Sequence, residues 1–111
     1  MDFNEYQKIA MSTAKPWADN ETNLRLAYYG LGLTGESGEC ADAIKKHLSG
    51  SKPIDPDEIK RELGDVLWYV NALAAYFNFE LDDIAKTNVA KLKARHGDSW
   101  SGYGNRAGDG R

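Results

Sequence analysis

Apolar residues recur at intervals of three and four along most of this chain, and no β-branched run alternates with polar residues over a strand's length. That period belongs to helices that bury one face, so it restricts the chain to an all-α fold. The third helical stretch is the plainest case. Ile59, Leu63, Val66, Leu67, Val70, Leu73, Ala74 and Phe77 make a wide stripe, introduced by Asp55 as N-cap, Pro56 at the first helical position and Glu58 as capping-box partner. The same pattern predicts helices over residues 2–14, with Phe3, Tyr6, Ile9, Ala10 and Thr13 on one side, and over 22–48, closed by Ser49-Gly50. A fourth covers 82–96, with Ile84, Ala85, Val89 and Leu92 inward. Pro16 ends the first helix, because the residue before a proline disfavours the α region. Four helices with short links predict a four-helix bundle occupying residues 1–96. Its interior is thin for a monomer, and the broad stripes on the second and third helices predict that chains associate. Residues 97–111, with glycine at 97, 102, 104, 108 and 110, read as a flexible arm.

Several classes fall away. The net charge of -3, with no Lys/Arg-rich block, argues against a protein that tracks nucleic-acid phosphates. No apolar run approaches the roughly 20 residues that span a bilayer, and the N-terminus lacks a basic-then-apolar leader. Cys40 is the only cysteine, so no intrachain disulfide can form and a reducing compartment fits. The expectation is a soluble cytoplasmic protein with no nucleic-acid or membrane partner.

The stretch LGLTGESGECADAIKKH, residues 31–47, is odd for a helix. Gly30, Gly32, Gly35 and Gly38 each cost roughly 0.5–1 kcal/mol against alanine in a helix interior. Two explanations stand: close packing of a neighbouring helix, or approach of a nucleotide to the backbone. Glu36 and Glu39 are three apart beside the apolar side, and Glu62 and Asp65 repeat that spacing on the next helix. Residues three apart are neighbours on a helix surface. Packed antiparallel through their apolar stripes, as expected, the two helices bring both acidic pairs to one point, where like charges ~5 Å apart repel by ~3 kcal/mol even at an effective dielectric of 20. Four such groups either take up protons or bind a divalent cation. All are hard oxygen donors, which suit Mg²⁺, or Mn²⁺ in its place, better than zinc, and Mg²⁺ so held usually completes its shell with water and substrate phosphates. No histidine stands three residues after these carboxylates, as a di-iron bundle requires.

The order GLTGESGECADAIKKH, IKRELGDVLWYVNALA and IAKTNVAKLKARHG resembles the MazG-like nucleoside triphosphate pyrophosphohydrolases of the all-α pyrophosphohydrolase superfamily. The similarity covers roughly residues 3 to 100, and the family's ExxE…ExxD signature is matched by Glu36, Glu39, Glu62 and Asp65. The resemblance implies a MazG-like bundle, dimeric or tetrameric, that cleaves nucleoside triphosphates between the α and β phosphates with Mg²⁺ at those four carboxylates. Glu36 or Glu39 would take the proton from the attacking water, and the sequence does not order the two. On the fourth helix Asn88, Lys91 and Arg95 lie along one face, and in similar proteins this set contacts the phosphates.

Other residues have structural readings. Trp68 and Tyr69 are read as packing, His47 as a core or interface residue and His96 beside Gly97 as a helix end. Trp17 and Trp100 line either a base pocket or a subunit contact. The rival reading of the whole is a non-catalytic helical interaction module whose acidic pairs serve only structural metal or salt bridges.

Overall fold

The computed structural model describes residues 1–97 and is helical: α1 (Phe3–Met11), one 3-10 turn (Asp19–Glu21), α2 (Thr22–Leu48), α3 (Pro56–Tyr76) and α4 (Leu81–His96), with no strand among the described residues. No helix among them is long and apolar enough to cross a membrane. The glycine-rich arm lies outside the described residues, apart from Gly97, whose φ of 89° ends α4. Residues Met1–Leu81 form one compact unit and those from Asp82 onward a second.

Local chemistry sets the helix ends. The Asp2 carboxylate accepts the Glu5 N–H at 2.9 Å and starts α1. α1 closes at Met11 rather than at residue 14, because the Ser12 and Thr13 hydroxyls donate back to the Ile9 and Ala10 carbonyls, both at 2.6 Å. Such bonds compete with the continuing backbone ladder. Asp55 caps α3 through the Asp57 N–H at 3.0 Å, but Glu58 does not complete a capping box; its carboxylate takes the Lys52 ammonium at 3.0 Å. α3 ends in a Schellman turn: Asn78 adopts φ 59°, and the Phe79 N–H reaches the Ala74 carbonyl at 2.7 Å.

α2 and α3 pack antiparallel. The Arg25 guanidinium covers the Tyr76 ring at 4.7 Å, Gly32 lies under the Tyr69 ring and Glu36 approaches Glu62 and Asp65, so numbers rise along one helix as they fall along the other; Tyr29 meets Trp68 edge-on at 6.1 Å in the same contact. A Cβ at Gly32 would sit inside that ring, whereas Gly30, Gly35, Gly38 and Gly64 have nothing within 4 Å. Close packing therefore accounts for one of the four α2 glycines. α1 crosses α3: the Trp68 indole N–H is shared between the Ala10 carbonyl (3.2 Å) and the Thr13 hydroxyl (3.0 Å), and the Asn71 amide reaches the Gln7 carbonyl at 3.4 Å. Gln7 itself clamps the α3–α4 turn, donating to the Phe79 carbonyl at 3.3 Å and accepting the Leu81 N–H at 3.1 Å.

The buried set is small: Ala10, Tyr29, Ala72, Ala74, Leu81 and the polar Asn71. The apolar stripe of α3 is not the side that meets α2. That side carries Glu62, Asp65, Tyr69 and Tyr76, about 100° around the helix from the stripe. Leu63 and Phe77 are accordingly 54% and 50% exposed. The sidedness expected of α1 and α4 is likewise incomplete, since Phe3, Ile9, Ile84 and Val89 are exposed.

Candidate metal centre

The antiparallel register of α2 and α3 sets Glu36 across from Glu62 and Asp65. One carboxylate oxygen from each lies within 4.8 Å of the others; Glu36 and Glu62 are half-buried and Asp65 is exposed. Glu39, one turn further along α2, is exposed and stands outside this trio. The acidic side chains that are ion-paired lie elsewhere: Asp42 with Lys45 and Lys46, Glu58 with Lys52, and Asp82 with Lys86. The trio thus gathers negative charge that no side-chain cation within ion-pair distance neutralises, among the described residues. Partial burial, then the charges of Asp65, Glu62 and Glu39, push the Glu36 carboxyl above its ordinary value. A cluster of hard oxygen donors with uncompensated charge suits a divalent cation.

An open cleft of about 330 Å³ adjoins the trio, lined by Thr13, Glu36, Asp65, Trp68 and Tyr69. Its aromatic wall is held from behind. Trp68 spends its N–H on α1 and meets Tyr69 edge-on at 4.9 Å, as a packing residue does. Burial, then a hydrogen bond and proximity to Tyr28, then Glu36 and Asp65 raise the Tyr69 phenol's pKa, which places that hydroxyl in the field of the carboxylates. Tyr6 of α1 is raised by burial and then by Asp65. In the sequence Tyr6 and Thr13 mark only the apolar face of a helix, and nothing distinguishes Tyr28. Their position beside the carboxylates depends on how α1 crosses α3, for which local spacing carries no signal.

Trp17 is half-buried rather than a free loop aromatic. Its N–H donates to the Tyr29 hydroxyl at 3.2 Å, and the Lys15 ammonium lies 4.3 Å from its ring centre. Trp100 lies outside the described residues. His47 is exposed, which removes the core reading and leaves the interface one. On α4, Asn88, Lys91 and Arg95 are exposed and spaced by three and four along one face.

Comparison with known proteins identifies the family. The model of the MazG nucleotide pyrophosphohydrolase domain matches residues 25–100, which include both acidic pairs and the Asn88–Arg95 face. The chain is also similar to the Gene 37 protein of Mycobacterium phage L5, 36% identical over 101 residues, covering 86% of this chain and 89% of that one. No solved structure matches it. With the match spanning most of the chain and three of the four signature carboxylates gathered across two helices, the protein belongs to the MazG nucleotide pyrophosphohydrolase family.

Proposed function

We propose that the protein is a Mg²⁺-dependent nucleoside triphosphate pyrophosphohydrolase, releasing nucleoside monophosphate and pyrophosphate in the housecleaning of nucleotide pools. The observation that carries this reading is the uncompensated trio of Glu36, Glu62 and Asp65 in a chain of the MazG family. These three residues, with Glu39 at their edge, would hold Mg²⁺, or Mn²⁺ in its place. Bound there, the cation supplies Lewis acidity and neutralising charge to a polyphosphate. Glu39, exposed and outside the trio, is free to accept the proton of a water attacking the α phosphorus; Glu36 is the alternative base. Asn88, Lys91 and Arg95 would bind the phosphate oxygens, and the rest of catalysis is positioning and electrostatic stabilisation. The working form is a cytoplasmic homodimer or homotetramer.

Pyrophosphate release from a panel of ribo- and deoxyribonucleoside triphosphates, with and without Mg²⁺, tests the proposal. Release with at least one substrate, only with the metal, is expected. Glu39→Gln and Asp65→Asn should each abolish turnover while the helical circular dichroism persists. No release from any triphosphate would favour the non-catalytic interaction module instead.

A further inference from the structure

Arg25 is a cation without an acceptor. It rides half-buried in the first turn of α2, with its guanidinium on the face of the Tyr76 ring at 4.7 Å. Neither a hydrogen bond nor an ion pair joins it to another described residue, and its Nε is buried without a partner. A guanidinium stays charged and carries five N–H donors, and a buried donor left unbonded costs about 1–3 kcal/mol. The two carboxylates of the preceding turn do not answer it. Glu21 spends an oxygen on the Ala18 N–H at 2.9 Å, and Asp19 is exposed and forms no ion pair. Arg25 instead lines a recess of about 140 Å³ with Trp17, Ala18, Asp19 and Thr22. At the ~30 Å³ that a water takes in the liquid, this is space for several waters or for one tetrahedral oxyanion.

We propose that this recess is a binding site for a phosphate-type oxyanion, held by the Arg25 guanidinium. The planar fork of N–H donors matches two oxygens of a phosphate, and the Tyr76 ring beneath it fixes its plane, so little side-chain freedom remains to be lost on binding. The Thr22 hydroxyl, turned to the Asp19 carbonyl at 3.1 Å, is a second donor on the same wall. Two further features favour an anion there. The 27-residue α2 begins at Thr22 with no side-chain cap, which leaves the positive end of its dipole at the recess, and the Lys15 ammonium lies 4.3 Å from the centre of the Trp17 ring. Asp19 opposes them and sets a limit on affinity. The site is separate from the metal centre. Arg25 and Glu36 are eleven residues apart on α2, about 16 Å along its axis, which is beyond the span of one phosphate. Its occupant is free phosphate or the phosphoryl group of a nucleotide.

This inference does not rest on the proposed reaction, because binding is read in the metal-free protein with no triphosphate present. Inorganic phosphate is titrated into the isotope-labelled full chain at constant ionic strength, balanced with sodium chloride, and followed by NMR. The Arg25 Nε–Hε cross-peak, assigned by its loss in Arg25→Lys, should shift saturably with a dissociation constant in the millimolar range or tighter. Arg25→Lys keeps the charge but not the fork, and should weaken binding roughly tenfold, read from the Thr22 backbone amide. Asp19→Asn removes the opposing charge and should tighten binding about twofold or more, a gain that a poorly folded variant cannot imitate. A nucleoside monophosphate titrated in parallel separates the two sources. Tighter binding than phosphate at Arg25 assigns the site to a nucleotide's phosphoryl group, and equal or weaker binding assigns it to free phosphate. No saturable shift at Arg25 with either ligand, the same shift from chloride alone, or an affinity indifferent to Arg25→Lys or to Asp19→Asn would each overturn the proposal.

Discussion

Glu36→Gln should make the metal-free protein more stable and the metal-loaded protein less so, a crossing that a merely structural acidic cluster would not show. The magnitude follows from the separation of the trio, whose oxygens lie within 4.8 Å of one another. At that distance a pair of unit charges repels by about 0.9 kcal/mol at the dielectric of water. Neutralising Glu36 relieves two such pairs, and screening at about 0.1 M salt leaves about 1 kcal/mol. For a domain of this size that is a rise in Tm of about 4–8 °C. Mg²⁺ at about one hundred times its dissociation constant would stabilise the wild type by about 2.7 kcal/mol, more than reversing the order. Melts followed by circular dichroism, in chelator and then across a Mg²⁺ series, measure both halves. The pH dependence supplies an internal check. Because the Glu36 pKa is raised in the folded chain, the unfolded chain ionises first as pH rises from the ordinary value of 4.5. The stability of the metal-free wild type should therefore fall with rising pH through that window and then level off, and the gap to Glu36→Gln should close below it. A variant no more stable than wild type in chelator, or an equal Mg²⁺ shift in both proteins, would refute the reasoning.

Two glycines of α2 should respond in opposite directions. Gly32→Ala drives a methyl into the Tyr69 ring and should cost about 1–3 kcal/mol by overpacking, whereas Gly30→Ala, with open space above it, should gain about 0.5–1 kcal/mol; urea titrations of both variants compare them. Gln7→Met keeps the length of the side chain but leaves the Leu81 N–H and the Phe79 carbonyl without their partner. A loss of about 1–3 kcal/mol is expected, with faster amide exchange at Leu81 than in the wild type.

The helical class, the bounds of α2 and the cap of α3 were legible from local chemistry. Ser49-Gly50 after a long periodic run and Asp55-Pro56 before the next are local instructions, and the Asp55 carboxylate carries its instruction out at 3.0 Å from the Asp57 N–H. The end of α1 was misplaced because Pro16 is a louder signal than the Ser12 and Thr13 hydroxyls that close the helix first. The acidic pairs were legible as candidates, since a spacing of three puts each on one helix face. That Glu36, Glu62 and Asp65 converge while Glu39 stands apart depends on the register of α2 against α3. The apolar stripe of α3 misled about the contact with α2, where Tyr69 over Gly32 takes the place of an aliphatic seam.

From the sequence alone came the all-α class, the helix that each carboxylate rides on, and the family that the motif order resembles. These are consequences of bonds and sterics within a few residues. Only the tertiary structure decided which side of α3 meets α2, that Tyr6 of α1 and Thr13 just beyond that helix border the acidic trio, and that Gly32 alone among the α2 glycines is used within the chain. The physical reason is one of range. Periodicity records which side of a helix avoids water, but the partner, crossing and register are settled by the fit of surfaces far apart along the chain.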